Sequence, residues 1–194
     1  MKSNLDIACP SPPKWIEAVM AGFDDFLKDH ADCERKASAT ALSLVAKYPD
    51  RTEILPELID IAIEELEHFK QVYALMEERG LSLTHQIPED PYIKTLIGRM
   101  HSGITERFLD RLLIASVVET RGAERFHLVA DALDEPDLKK FYKMLWISEA
   151  RHGDVYVKMA LHYFPESKVY ERLNWWIQQE ADIIQNLEIR PALH

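Results

Sequence analysis

Apolar side chains recur every three or four residues over most of the chain, and the rhythm breaks only where proline or glycine interrupts it. The first run spans about Trp15 to Lys47 and stops at Tyr48-Pro49-Asp50, because proline drives the residue before it out of the helical region. A second helix is expected over about residues 53–79, with Thr52 as N-cap, Pro56 tolerated near the first turn and Gly80 at the end. Residues 80–91, GLSLTHQIPEDP, read as a connection, followed by a short helix near Tyr92 to Met100. Helical periodicity returns over about 104–133, and Pro136 opens a further helix over about 136–163. Phe164-Pro165-Glu166-Ser167 ends that helix, and a last one runs over about 167–187.

Connection lengths turn these elements into a topology. The first and second helices are joined by a few residues, as are those at 104–133 and 136–163, so each pair is an antiparallel hairpin. The long middle connection crosses between the hairpins. The expected fold is all-α: a four-helix bundle of two hairpins with an additional C-terminal helix, in a single domain over residues 1–194. Composition agrees, since 194 residues at 47% hydrophobic content can bury a sizeable core and only 6 Gly and 10 Pro are present.

Charge and cysteine content narrow the setting. A formal net charge of -10 disfavours broad, non-specific attraction to nucleic acid or anionic membranes and leaves room for a local basic patch. Cys9 and Cys33 form neither a CxxC pair nor a disulfide framework, which points to a reducing, cytoplasmic compartment. The N-terminus lacks a secretory apolar run and no stretch is apolar enough to span a bilayer, so no stable membrane association is expected.

Glu-x-x-His occurs three times, at Glu65–His68, Glu124–His127 and Glu149–His152. With so many glutamates, about one such pattern arises by chance, and position in the helices has to discriminate. A carboxylate-bridged pair of metals in a bundle takes one Glu from each of two helices and Glu-x-x-His from each of the other two, because residues i and i+3 share a face. Glu34 lies about 14 residues before the end of its helix and Glu65 about 13 after the start of the next, so both sit ~20 Å from the same turn. Glu119 and Glu149 stand in the same relation across the second hairpin. Glu124 follows Glu119 by five residues and so points about 140° away from it. That excludes it from the same site.

The candidate ligands are therefore Glu34, Glu65, His68, Glu119, Glu149 and His152. Ile61, Ala62, Phe69 and Val72 share a face with Glu65 and His68, and acids on a core-facing stripe require partners or metal. Four carboxylates and two neutral imidazoles balance two divalent ions, and mixed O and N ligation suits iron or manganese better than structural zinc. Six protein ligands leave open positions, where dioxygen chemistry becomes available. Ala37, Ser38, Ala41, Ala115, Ser116, Gly122 and Ala123 lie near the lone glutamates, as a path for substrate or as sites of close helix packing. Tyr156, one turn past His152, is a candidate hydrogen-bond donor or a core residue.

At these residues the sequence resembles the ferritin-like di-iron carboxylate proteins. The stretches DHADCERKASATAL, IAIEELEHFKQVY, LLIASVVETRGAERF and ISEARHGDVYV, with the tail RPALH, resemble more narrowly the tRNA-(2-methylthio-N6-isopentenyladenosine) hydroxylases. The resemblance implies two iron ions, dioxygen as co-substrate, and hydroxylation of the isopentenyl group on a modified adenosine beside the tRNA anticodon. It makes Glu34 and Glu119 the lone carboxylates and Glu65 and Glu149 the bridging ones. It also implies a ferredoxin-type electron donor with its reductase.

A tRNA substrate needs cations. Lys94, Arg99, Arg107 and Arg111, with His101, enrich the crossover and the following helix, and Arg190 and His194 add charge at the tail, although Glu106 and Asp110 could balance this face. Two alternatives stay open. Hydroxylation of a lipid quinone would need an exposed apolar face such as Trp175, Trp176 and Ile177, which at their spacing more simply pack the last helix on the bundle. Iron storage would need assembly into a shell, and the sequence leaves the oligomeric state open. A peroxidase with an extra thiolate iron site is disfavoured by the missing CxxC pairs.

Overall fold

A computed structural model describes residues 6–83, 85 and 89–194. Among them the chain is all-helical: α1 Pro13–Ala21, α2 Phe23–Lys47, α3 Leu55–Glu78, α4 Pro91–Gly98, α5 Ile104–Ala132, α6 Pro136–Leu161 and α7 Glu166–Asn186.

Two boundaries differ from the sequence expectation. The run over 15–47 is two helices, α1 and α2, which part at Gly22 (φ -126°, ψ 44°). A Cβ built on Gly22 would stand 3.1 Å from Pro191 Cγ, so the tail residue needs the space that glycine leaves. Periodicity continues through the break, and the pattern alone does not reveal it. Thr52 is not the cap of α3; Ile54 occupies that position without a side-chain hydrogen bond, after a turn in which Ile54 N donates to Arg51 O. Gly80 ends the segment as expected, with φ +68°, a conformation that glycine adopts without a Cβ clash. Asp90 caps α4 by accepting from the amides of Tyr92 and Ile93, which satisfies two of its orphan donors.

Two compact units result. One comprises residues 18–88 and 190–193 and is built on the antiparallel hairpin α2–α3. Phe26, Leu27, Leu44, Leu58, Val72 and Met76 are buried along its apolar stripes, and Leu193 N donates to Asp29 Oδ2 at 2.7 Å, which holds the tail on α2. The other comprises residues 1–17, 89–189 and His194, built on the hairpin α5–α6 with α4 and α7 alongside. There α7 turns Leu173, Trp176 and Ile184 inward, and Trp176, fully buried, donates its indole N–H to Asp110 Oδ1 at 3.0 Å. The lipid-facing role weighed for Trp176 is thereby removed. Among the described residues no helix is long and apolar enough to cross a membrane.

Candidate metal centre

On the α2–α3 hairpin, Glu34, Glu65 and His68 each bring a ligand atom within 4.8 Å of the others. The i, i+3 spacing places Glu65 and His68 on one face of α3, and antiparallel pairing brings Glu34 opposite them. His68 Nδ1 lies 3.4 Å from Glu65 Oε2 and 3.7 Å from Glu34 Oε2. The other oxygen of Glu34, Oε1, is 2.6 Å from Nε2 of His30, and both residues are buried. His30 therefore fixes the carboxylate so that Oε2 faces His68, a role for which the sequence offered one clue, the i, i+4 spacing of His30 and Glu34 in DHADCE. Ser38 Oγ donates to Ala62 O at 2.7 Å one turn away, clamping the two helices beside the acids.

The α5–α6 hairpin repeats the arrangement. Glu119, Glu149 and His152 offer ligand atoms within 4.8 Å of one another; Glu149 and His152 are buried and Glu119 is half-buried. His152 turns Nδ1 to Glu149 Oε2 at 3.5 Å, and its Nε2 lies 3.2 Å from Arg151 Nη2. A serine again braces the hairpin: Ser116 Oγ donates to Gly153 O at 2.7 Å. Gly153 has no alternative there, since a Cβ would meet Thr120 Oγ1 at 2.7 Å and Ser116 O at 3.3 Å. Ser38, Ala41, Ser116 and Ala123 are all buried, and the two serines bond across their hairpins. Tyr156 is buried one turn beyond His152.

Each hairpin thus gathers two carboxylates and one imidazole, a charge of about -2 when the imidazole is neutral. That is a costly burial by itself, and one divalent cation neutralises it. The imidazole-to-carboxylate separations of 3.4 to 3.7 Å are long for hydrogen bonds, so the imidazoles by themselves compensate the buried acids poorly. The donors are oxygen and nitrogen; Cys33, the cysteine of this hairpin, instead contacts Asp29 Oδ2 through Sγ at 3.7 Å. Such a set suits iron or manganese.

The third Glu-x-x-His does other work. Glu124 accepts from Ser11 N at 2.8 Å, Ser11 Oγ at 2.7 Å and Arg121 Nη1 at 3.0 Å, so it ties the N-terminal segment to α5. His127 stacks on Trp146 with ring centroids 4.0 Å apart and pairs with Asp131. Sequence reasoning missed the buried ion pair beside them. Arg121 grips Glu180 of α7 in a fork, Nε to Oε1 at 2.7 Å and Nη2 to Oε2 at 2.9 Å. Burial works against the Arg121 cation, but Glu180 and Glu124 more than offset this and raise its pKa. Arg125, buried beside Arg121 and stacked over Trp15 at 4.6 Å, is lowered to about 10, by burial first and then by the neighbouring guanidinium. Burial, then the charge of Glu180, raises the Tyr92 phenol.

The basic residues singled out for tRNA are unequally committed. Lys94 pairs with Glu89 at 2.9 Å, and Arg99 bonds Gln179 Oε1 at 2.8 Å and Asp182 Oδ2 at 2.9 Å. Arg107 and Arg111, in the first two turns of α5, are half-buried, as is Arg190 in the tail. His101 is drawn to Asp110, and His194 stacks on Tyr92 with centroids 5.0 Å apart.

Comparison with known proteins adds identity to this geometry. The family model described as tRNA-(MS2IO6A)-hydroxylase (MiaE) matches residues 2–194. The tRNA 2-(methylsulfanyl)-N(6)-isopentenyladenosine(37) hydroxylase of Pseudomonas putida is 36% identical, over 97% of this chain and 91% of its own. The Salmonella typhimurium protein of the same name is 28% identical, over 91% of this chain and 82% of its own. Among solved structures, a Synechococcus protein titled "Protein 43 with aldehyde deformylating oxygenase activity" superposes with a TM-score of 0.91 at 34% identity, covering 97% of this chain and 94% of that one.

Proposed function

The chain belongs to the tRNA-(MS2IO6A)-hydroxylase family, and from that premise we propose that it is a di-iron, oxygen-dependent monooxygenase acting on tRNA. Its substrate is the isopentenyl side chain of 2-methylthio-N6-isopentenyladenosine beside the anticodon. The observation that carries this reading is the pair of matching half-sites, each with two acids and one histidine, in a chain that aligns with a named tRNA hydroxylase over 97% of its length.

In this reading Glu34, Glu65 and His68 would hold one iron and Glu119, Glu149 and His152 the other. Iron bound there supplies dioxygen activation. The protein's own part is to hold the donors rigid: His30 orients Glu34, the serine braces fix the spacing within each hairpin, and burial excludes water. Tyr156 is a candidate hydroxyl donor beside His152. Insertion of one oxygen atom into a C–H bond, with the other leaving as water, consumes two electrons and two protons. A ferredoxin-type donor with its reductase fits that need, and a tRNA substrate sets the work in the cytoplasm. Arg107, Arg111 and Arg190 are candidates for phosphate contacts, with Lys94 and Arg99 available on exchange of their ion pairs.

The test is mass spectrometry of nucleosides from hypomodified tRNA incubated with iron-loaded protein, oxygen and a reductant. A gain of one oxygen atom on the isopentenyl adenosine is expected. The Synechococcus likeness favours a second reading, oxidative deformylation of an aldehyde. Formate release from such an aldehyde, with no oxygen gained by tRNA, would replace the first reading with the second.

A further inference from the structure

A chain of net charge -10 that handles a polyanion needs a place where its cations are not spent on its own acids. The expected patch near the crossover meets this requirement only in part, since Lys94 and Arg99 are paired with Glu89 and Asp182, and Arg107 and Arg111 are half-buried. Helix α6 meets it. It carries five cationic residues against three acids, one of which is the buried Glu149, whereas α3 carries seven acids and a single lysine.

These charges are concentrated on one face. Lys140, Lys143, Met144, Ile147, Arg151 and Lys158 fall within about 60° of a common direction on a helix turning 100° per residue, and all six are exposed. Half-buried Asp154 is the lone acid of that stripe. Among the described residues Lys140, Lys143 and Lys158 make no ion pair. The stripe runs about 27 Å from Lys140 to Lys158, the length of several nucleotides. Between the cations, Met144 and Ile147 stand 41% and 66% exposed, apolar surface of the kind that packs against a ribose or base. The opposite side of the helix presents Glu149 and His152, so a strand laid along the stripe lies within about one helix diameter, ~10 Å, of the metal-binding acids.

We propose that the outward face of α6 is the surface that binds the tRNA backbone, with Lys140, Lys143, Arg151 and Lys158 on phosphates and Ile147 and Met144 against the nucleotides between them. This rests on the tRNA reading above and adds to it a surface made of residues other than those of the crossover patch.

The experiment is fluorescence anisotropy with iron-loaded protein and labelled tRNA carrying the isopentenyl adenosine, over a series of salt concentrations. It compares wild type, the triple variant Lys140→Ala, Lys143→Ala, Lys158→Ala, and a matched Lys94→Ala, Arg107→Ala, Arg111→Ala variant. Arg151 is left intact because it touches His152. The α6 variant is expected to keep its iron and its thermal midpoint, to bind tRNA about tenfold more weakly, and to lose about two from the slope of log Kd against log salt, the amount three lost phosphate contacts on a single strand would give. Unchanged Kd and slope in that variant, or loss confined to the crossover variant, overturns the α6 surface and leaves the hydroxylase reading standing. Wild-type protein that binds anionic vesicles but not tRNA overturns both.

Discussion

Glu34 presents one oxygen to His30 at 2.6 Å and the other toward His68 at 3.7 Å, and this division is the kind of constraint that a metal-holding carboxylate requires. Glu119 can be tested against Glu124, which shares its chemistry and its helix but not its direction. Glu119→Ala and His152→Ala should each reduce iron from about two per chain toward one or none, measured by inductively coupled plasma mass spectrometry. Glu124→Ala should leave iron unchanged yet lower stability by about 2–3 kcal/mol, since three hydrogen bonds to a half-buried carboxylate are lost. Equal iron in all three proteins would sink the ligand assignment. Direction around the helix was legible from residue spacing; the partners of Glu124 were not, because Ser11 lies far from it in sequence.

At the scale of the element, hairpin depth is what the sequence expressed best. Short connections fix the pairing of α2 with α3 and of α5 with α6, and counting residues from each turn then pairs Glu34 with Glu65 and Glu119 with Glu149. What counting does not reveal is how closely the helices approach. Gly153 allows α6 to lie against Thr120 and the Ser116 carbonyl of α5. Gly153→Ala should cost about 1–3 kcal/mol in urea unfolding, the usual penalty of overpacking, and Thr120→Ala in the same background should recover part of it. A neutral Gly153→Ala would mean that the two helices separate without cost. The split of the first helical run at Gly22 has a similar origin, since Pro191 claims the space above it.

For the molecule as a whole, acid stability depends on a site remote from the proposed iron ligands. Burial alone would raise the Asp110 carboxyl, but hydrogen bonds from Arg172, the His101 amide and Trp176 outweigh it and hold the pKa below the ordinary range. A carboxylate so depressed stabilises the fold at any pH above its unfolded value of about 3.9, and that contribution fades as the pH falls through the folded value. Asp110→Asn should therefore lower the thermal midpoint at pH 7, by the equivalent of about 3–5 kcal/mol for a broken buried pair, and flatten its decline below about pH 4. Thermal melts followed by circular dichroism across pH 2 to 7 check this; two parallel curves would contradict it.

The sequence by itself determined the helical class, the two hairpins, the long crossover and the six candidate ligands, because periodicity, turn residues and depth are properties of neighbours along the chain. Tertiary structure alone decided which cations are available and which are spent. Arg99 is held by Asp182, Arg121 by Glu180 and Arg172 by Asp110, while Lys140, Lys143 and Lys158 on α6 keep their charge for solvent. Periodicity tells which face of a helix turns inward, but the energy of an ion pair exists only between groups that folding brings together from distant parts of the chain.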